Sequence, residues 1–344
     1  MRGRRVGKPT VQDLGEDRLL DRIRTLIDPA PKGVVGIGDD AAVFGRQLLT
    51  TDTLVDDVHF RRAWCTPEEV GWKALAVNLS DIAAMGGRPV VALVSLILPG
   101  QTSVDTVLGF YRGMRRLARL WKLPILGGNL ARGEVLSLTL TVIGEPGKRG
   151  PILRTGARSG DRVYVSGEPG LARLGYLILE RERPSLKEGW ADARQSLLSR
   201  RKQTASKYPG GAKAIRAFLL PKPRLDLVQN LHPTAIMDLS DGLAADAPRL
   251  ARASGVGMVI DLAALPISKS FRMLCSTLGV TPEETVLEGG EDYELIATVS
   301  KASKMSRTWH SIGEITPGNQ VYLRGGDGRR RPLDRGGFDH FKTE

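Results

Sequence analysis

Soft metal ligands are scarce in this chain, which has two cysteines and four histidines among its 344 residues. The cysteines, Cys65 and Cys275, lie far apart in the sequence, which argues against a disulfide framework and is typical of a reducing compartment. The same scarcity disfavours a zinc or redox-metal centre, because such sites take histidine and cysteine ligands. We therefore expect a cytoplasmic protein without a soft-ligand metal site.

Long apolar runs are also missing. No stretch reaches the roughly 20 apolar residues that span a bilayer, and no apolar segment follows the basic N-terminus as a secretion signal would require. We therefore expect no membrane partner. Aromatic residues make up only 5% of the chain, whereas 40 glycines cluster in short groups such as "GIGDD", "LGGNL" and "EGGED". This pattern is typical of an enzyme with tight backbone turns.

The formal net charge is +12, which could indicate nucleic-acid binding. The basic residues are dispersed, however, and no nucleic-acid-binding motif accompanies them. They are densest at 2–8, 111–122, 181–224 and 324–335. We favour solvated basic faces that attract anionic metabolites and expect no nucleic-acid partner, although nucleic-acid binding stays an alternative.

The length favours two domains. Predicted strands alternate with predicted helices in both halves, which indicates an α/β (α+β) fold. A segment rich in Gly, Pro and Arg at 146–160 separates the halves. We place the N-terminal domain at 1–148 and the C-terminal domain at 149–344.

Local signals predict most elements. Thr66, Pro67 and Glu69 form a capping-box pattern that opens a helix at 66–85. The nearly continuous apolar run at 90–99 predicts a strand buried on both faces. Residues 183–215 are polar and weakly patterned and are predicted to be a loop or insertion, and Asp246 is the predicted cap of the helix that follows "SDGL". The other predicted elements are helices at about 12–28, 103–121, 170–182 and 269–278 and strands at 34–44 (interrupted by a glycine turn), 46–55, 123–129, 135–145, 162–167, 234–240, 257–262 and 293–299.

Oxygen ligands concentrate in five stretches, almost all at strand ends or glycine turns. They are Asp39–Asp40, Thr50–Asp52 with Asp56–Asp57, Asp81, Asp238–Ser240–Asp241 and Glu291–Asp292. Single acids at such places are usually caps or turn residues. If these five stretches converge, hard oxygen donors without soft ligands favour Mg²⁺, which bridges carboxylates to phosphates. The pattern therefore indicates phosphate chemistry assisted by metal ions.

The common phosphate-binding signatures are absent, since the chain has no Walker A motif and no "HRD" or "DFG" motif. Phosphate binding is then expected at other glycine turns, "LGGN" (126–129) and "SGEPG" (166–170), where bare amides can approach an oxyanion. His59 follows the last acid of "TTDTLVDDVHF" by two residues. It either donates to a substrate phosphate or is satisfied by a neighbouring carboxylate, and the sequence leaves both possibilities open.

Several longer motifs resemble a known family. "GIGDDAAVF", "TTDTLVDDVHF", "KALAVNLSDIAAMGGRP", "MDLSDGLAAD", "GGEDYEL" and "GGFDHF" are similar to motifs of the thiamine-monophosphate kinases. That family shares a superfamily with aminoimidazole ribonucleotide synthetase and selenophosphate synthetase. The resemblance implies a PurM-like fold, an N-terminal mixed sheet that forms a homodimer, and a C-terminal α/β domain. It also implies ATP-dependent phosphorylation of thiamine phosphate to thiamine diphosphate by direct in-line transfer, with ATP as co-substrate and several Mg²⁺ ions.

The resemblance implies roles for particular residues. The implied metal ligands are Asp40, Thr50, Thr51, Asp52, Asp81, Asn129, Asp238 and Asp241, of which Asp52, Asp81 and Asp241 would be catalytic. The implied nucleotide contacts are Tyr111, Gly128, Asn129, Arg154 and Ser240. The implied substrate contacts are His59, Asp292 or its neighbour Glu291, and Phe338, whose ring would attract the cationic thiazolium.

One position departs from the family pattern, because Asn129 stands where members usually carry an acid after the glycine pair. The loss of charge predicts weaker metal binding there and leaves a catalytically silent relative as an alternative. An enzyme like aminoimidazole ribonucleotide synthetase is a further alternative, although its motifs differ from those quoted. Selenophosphate synthetase would need a reactive cysteine before the first acid motif, and none precedes Cys65.

Overall fold

The first sheet is mixed and uses only residues from the first half of the chain. The computed structural model describes residues 9–182, 190–229, 231–301, 305–333 and 336. The strands of this sheet are β1 (Ala42–Phe44), β2 (Gln47–Val55), β3 (Gly87–Leu98), β4 (Ile125–Arg132) and β5 (Ser137–Pro146). They lie in the order β1–β2–β5–β3–β4, and β3 pairs with β4 in parallel while the other pairs are antiparallel.

Four helices accompany this sheet: α1 (Val11–Leu14), α2 (Glu16–Leu26), α3 (Pro67–Ala84) and α4 (Val104–Leu120). Helix α3 is almost entirely buried and confirms the predicted capping box, since Thr66 and Glu69 each accept from the other's backbone N–H. Helix α4 packs closely against it at Gly113, where an added Cβ would lie 1.8 Å from the Glu68 carbonyl oxygen. Only glycine permits that approach.

The prediction that the strand at 90–99 is buried on both faces is wrong. Burial alternates along β3, and Leu93 and Ile97 are each 41% exposed. Leu126 and Leu130 of the neighbouring β4 are exposed as well. Helix α3 packs against β2, β3 and β5, and the opposite face of β3 exposes Leu93 and Ile97 within the described chain.

The second sheet is built from residues after 160. Its strands are β6 (Arg162–Ser166), β7 (Ala235–Leu239), β8 (Gly257–Asp261), β9 (Glu294–Val299), β10 (Trp309–Thr316), β11 (Val321–Arg324) and β12 (Arg330–Pro332). Their order is β12–β11–β8–β10–β6–β9–β7, with β8 and β11 parallel and the other pairs antiparallel. Strand β7 lies at one edge of this order and contacts α3, which places α3 between the two sheets.

Helices also cover the second sheet. They are α5 (Leu171–Glu182), α6 (Trp190–Ser206), α7 (Gly211–Leu219), α8 (Leu225–Val228), α9 (Leu243–Ser254), α10 (Lys269–Leu278) and α11 (Pro282–Glu288), with a 3₁₀ turn at Leu262–Ala264. The loop predicted for 183–215 is wrong from residue 190 onward, because α6 and α7 occupy most of it. Helix α6 carries few apolar side chains, so its sequence has little helical periodicity.

The predicted cap at Asp246 is also wrong. Gly242 is the N-cap of α9, and Asp246 lies inside the first turn, where it is fully buried. Its carboxylate accepts from the Asp241 backbone N–H at 3.1 Å and from Arg249 at 2.9 Å. Asp246 therefore lies in the first turn of α9 and stabilises the preceding loop by accepting from the Asp241 N–H.

The mixed α/β architecture with two sheets confirms the predicted fold class. The chain passes from the first sheet to the second between Pro146 and Arg162, and the domain boundary at 148/149 stays a prediction. One large cluster of buried apolar residues spans both halves of the chain, with side chains such as Leu75, Leu79 and Phe110 entirely shielded. Among the described helices, none combines the length and apolar character needed to cross a bilayer.

Candidate active site

Three carboxylates from separate parts of the chain meet where α3 lies against both sheets. Asp40 comes from the turn before β1, Asp81 from α3 and Asp238 from β7, and an oxygen of each lies within 4.8 Å of the others. Thr50 Oγ1 donates to Asp81 at 2.5 Å, and Ser80 Oγ donates to Asp238 at 2.6 Å. Strand and helix side chains thus orient the carboxylates toward one point.

The electrostatics of this cluster favour a bound cation. Burial raises the pKa of Asp81 well above its ordinary value, and the nearby charges of Asp52 and Asp238 raise it further. Burial and the charge of Asp40 likewise raise the pKa of Asp238. Arg154 supplies one positive charge, donating to Asp40 at 2.7 and 3.2 Å. One arginine leaves this set of acids negative, and the oxygen-only donors fit Mg²⁺.

The cluster opens into a cavity of about 490 Å³. One group of lining residues is mostly acidic or polar: Asp52, Asp81, Arg154, Asp238, Ser240 and Asp241. A second group is aromatic and basic: Phe60, Arg61, Trp64, Arg173, Tyr176 and Phe218. His59 and Glu291 line the same cavity, which can therefore hold metal-bound phosphates and an organic ring system together.

The aromatic group is preorganised by edge-to-face contacts. The ring centroids of Trp64, Tyr176 and Phe218 lie 5.7, 5.8 and 6.3 Å apart in pairs. The guanidinium of Arg61 lies 4.5 Å from the centroid of Trp64, and that of Arg173 lies 5.1 Å from that of Tyr176. With Arg154, these arginines add positive charge to a cavity that also holds several carboxylates, and Arg61 itself pairs with Glu180 at 2.6 Å. Positive charge beside aromatic rings suits an anionic group attached to a ring.

The imidazole of His59 is oriented by a hydrogen bond from the backbone four residues earlier. Its Nδ1 accepts a hydrogen bond from the Val55 N–H at 3.1 Å. A neutral imidazole then carries its proton on Nε2, the nitrogen that can donate to an anion. Donation from Nε2 to a substrate phosphate and donation to a neighbouring carboxylate both use this geometry, so both interpretations of His59 stay predictions.

Glu291 and Asp292 are adjacent in the sequence but contact different parts of the structure. Glu291 lines the cavity with a left-handed backbone (φ 65°), and its N–H donates to the Ser240 carbonyl at 2.6 Å. Asp292 is half-buried and accepts from the backbone N–H groups of Gly170 and Ala172, at 2.5 and 2.9 Å, where α5 begins. Asp292 is not among the cavity-lining residues, so its visible contacts stabilise a helix start.

Comparison with known proteins assigns the family. Residues 38–145 match the family described as AIR synthase related protein, N-terminal domain, and residues 158–326 match its C-terminal domain. A thiamine-monophosphate kinase of Aquifex aeolicus (strain VF5) is 36% identical and covers 96% of this chain and 99% of its own. The chain belongs to the thiamine-monophosphate kinase family. A Bacillus subtilis (strain 168) member is 37% identical over 77% of this chain and 78% of its own.

The structure shows the same kinship. A solved structure described as AaThiL complexed with AMPPCP and TMP superimposes with a TM-score of 0.82 at 35% sequence identity, covering 97% of this chain and 99% of that one. Family membership and fold thus agree over nearly the whole length. The individual roles that the resemblance implied stay predictions, and the structure shows where each residue lies.

Most of the predicted site residues gather at the cavity. Those that line it are Asp52, His59, Asp81, Arg154, Asp238, Ser240, Asp241 and Glu291, and Asp40 and Thr50 join them through the acid cluster. Tyr111 is not among the lining residues and packs, half-buried, against the core from α4. Phe338 lies outside the described residues.

Thr51 and Asn129 lie on the exposed outer face of the first sheet, and Gly128 is an exposed residue of the edge strand β4. Because side chains alternate along a strand, Thr50 faces the acid cluster and Thr51 faces outward. Thr51 Oγ1 donates to the Leu140 carbonyl at 3.1 Å. At Gly128 (φ 153°) an added Cβ would lie 1.6 Å from the Val94 carbonyl oxygen, so the close pairing of β3 and β4 requires glycine. Within one described chain these three residues do not line the cavity.

The acids of "TTDTLVDDVHF" also separate in space. Asp52 lines the cavity, whereas Asp56 forms an ion pair with Arg62 at 2.6 Å and Asp57 occupies a left-handed turn position (φ 61°). These positions do not fit an interpretation in which Asp52, Asp56 and Asp57 are all metal ligands. The turn nevertheless places His59 at the cavity.

Sequence reasoning missed the aromatic group and Arg249. Trp64, Tyr176 and Phe218 come from three distant segments, so no local pattern marked them. Arg249 forms ion pairs with Asp241, Asp246 and Asp17, and the last of these ties α2 to the loop that carries a predicted metal ligand. The position of Arg249 one turn after Asp246 was the only available signal.

Proposed function

We propose that this protein catalyses the ATP-dependent phosphorylation of thiamine phosphate to thiamine diphosphate. The observation that carries the proposal is the convergence of Asp40, Asp81 and Asp238 at the edge of a cavity with an aromatic and basic wall. Family membership supports it, as does the likeness to a structure complexed with AMPPCP, an ATP analogue, and TMP.

The residues present fit Mg²⁺ as the associated cation. Asp40, Asp81 and Asp238 offer converging carboxylate oxygens, and Asp52 and Asp241 line the cavity beside them. Bound Mg²⁺ would supply positive charge against the phosphates of ATP. The carboxylates hold that charge in place, and Arg154 keeps Asp40 oriented.

The chemistry needs little proton transfer. In the reaction, an oxygen of the thiamine phosphate monoester forms a bond to the terminal phosphorus of ATP while the bond to the ADP oxygen breaks. A phosphate oxygen is already ionised near neutral pH, so no general base has to generate the nucleophile. The site accordingly offers positioning and charge stabilisation, with His59 and Arg61 as donors to phosphate oxygens and direct in-line transfer as the proposed path.

We also propose a homodimer through the outer face of the first sheet. Leu93 and Ile97 of β3 are each 41% exposed there, Leu126 and Leu130 are exposed on the edge strand β4, and exposed apolar side chains grouped in this way mark interfaces. Asn129, a predicted nucleotide and metal contact, lies on the same face. Light scattering should give the mass of a dimer, and Leu93→Glu should shift it toward the monomer. A monomeric wild-type protein would overturn this assembly.

One assay tests the proposed activity. Purified protein with ATP, Mg²⁺ and thiamine phosphate should form thiamine diphosphate and ADP in equal amounts. Asp81→Asn should form neither while keeping the far-ultraviolet circular dichroism of the wild type. Aminoimidazole formation from the formylglycinamidine precursor should be absent. Wild-type protein that forms aminoimidazole, or forms no thiamine diphosphate, would overturn the proposal.

A further inference from the structure

A buried lysine joins the segments that face the substrate end of the cavity. Lys73 lies on α3 with only 3% of its side chain exposed. Its Nζ lies 2.8 Å from Glu291 Oε1 and donates to the His59 carbonyl at 3.1 Å. The same ammonium lies 4.3 Å from the centroid of the Phe218 ring. Lys73 itself is not among the residues that line the cavity.

The three partners of this ammonium share a property. His59, Glu291 and Phe218 all line the cavity, although they come from segments more than 70 residues apart. Burying an ammonium is costly unless its donors are satisfied. The fold thus buries the Lys73 ammonium, at a cost in free energy, where it contacts three residues that line the cavity.

The geometry fixes both substrate-facing residues relative to one rigid helix. Glu291 has a left-handed backbone, which surrounding contacts must support, and Lys73 supplies one of them. His59 is held at its carbonyl by Lys73 and at Nδ1 by the Val55 N–H. Asp81 lies eight residues further along the same helix, about 12 Å along its axis. Helix α3 therefore sets the spacing between the acid cluster and the substrate wall.

We propose that Lys73 is a positioning residue for thiamine phosphate, acting through Glu291 and His59. This inference rests on the proposed function. It assigns to α3 two tasks, a metal-ligating residue near one end and the alignment of the acceptor substrate near the other. ATP binding, which involves the acid cluster, should depend little on Lys73.

The central test compares Lys73→Met with wild type. Methionine keeps an unbranched side chain but leaves Glu291 without its cation, so KM for thiamine phosphate should rise roughly tenfold or more. KM for ATP should change less than about twofold. Lys73→Arg keeps the charge and should recover part of the loss. Lys222→Met removes an exposed lysine paired with Asp226 and should leave both KM values unchanged.

A double variant separates positioning from a general structural role. If Lys73 acts through Glu291, KM for thiamine phosphate in Lys73→Met/Glu291→Gln should be lower than the product of the single effects predicts. Independent, multiplying effects would overturn the inference, as would equal changes in both KM values. If Lys73→Met does not fold, Lys73→Arg and Glu291→Gln provide the test. An unchanged KM for thiamine phosphate in both variants would overturn the inference. A wild type without kinase activity contradicts the proposed function instead, and binding of thiamine phosphate measured by calorimetry would still test Lys73.

Discussion

Asp292→Ala should lower the stability of the fold. The cavity should change little, because its lining residue at this place is the neighbouring Glu291. The Asp292 carboxylate accepts from the N–H groups of Gly170 and Ala172 at the start of α5. Removing it leaves two buried donors without that acceptor. Helix α5 packs against α7 and α10, so a change at its first turn affects the packing of the helices that lie on the second sheet.

The expected magnitude follows from these two hydrogen bonds. Each buried donor left unsatisfied costs about 1 to 3 kcal/mol, and loss of a helix cap alone costs about 0.5 to 2 kcal/mol. We expect the free energy of unfolding to fall by about 2 to 4 kcal/mol, since water can partly replace one partner. Asp105→Ala is a matched control, because it removes an exposed acid from the first turn of α4 and should cost less than about 1 kcal/mol.

Urea unfolding followed by tryptophan fluorescence measures these differences. The same preparations give KM for thiamine phosphate, which Asp292→Ala should change less than Glu291→Ala does. A stability loss no larger than that of Asp105→Ala would refute the capping argument. A selective rise in KM for Asp292→Ala without destabilisation would show that Asp292, rather than Glu291, contacts the substrate.

The same residue gives a pH dependence with a definite sign. Burial raises the pKa of Asp292 from 3.8 to about 8, against the lowering effect of its two hydrogen bonds. The folded state then binds the proton more tightly than the unfolded state, so this group lowers the free energy of unfolding as pH rises from about 4 to about 8. Asp292→Asn does not titrate. The stability of wild type relative to Asp292→Asn should therefore fall between pH 5 and pH 8, and a rise would contradict the assignment.

Three further variants test other parts of the argument. Asp238→Asn should abolish kinase turnover yet raise the melting temperature in EDTA, because it removes repulsion within the acid cluster; a lower melting temperature would count against that repulsion. Trp190→Ala should cost about 3 to 5 kcal/mol in urea unfolding, since its Nε1 donates to the Cys65 carbonyl and its ring is buried; a loss under 1 kcal/mol would mean that α6 is not anchored there. Asn129→Asp restores the family's charge and should lower the Mg²⁺ concentration for half-maximal activity, and an unchanged Mg²⁺ titration would exclude Asn129 as a ligand position.

Much of the architecture was predictable because its causes are local. The capping box at Thr66 and Glu69 predicted the start of α3 at Pro67, and the observed helix begins there. Alternating and apolar patterns placed most strands within a few residues of their observed bounds. The failures have local causes too, since α6 has few apolar residues and β3 looks buried on both faces although only one face is covered.

The sequence by itself determined the family and the fold class, since the motifs that carry them run along most of the chain, and it predicted a site built from oxygen ligands in glycine turns. Only the tertiary structure decided which ligands meet. Asp52 reaches the cavity while Asp56 pairs with Arg62, and Glu291 faces the cavity while Asp292 caps α5. Side chains one or a few residues apart can point in opposite directions, and their partners lie more than 100 residues away in several cases. Packing between distant elements, rather than any local pattern, sets those directions.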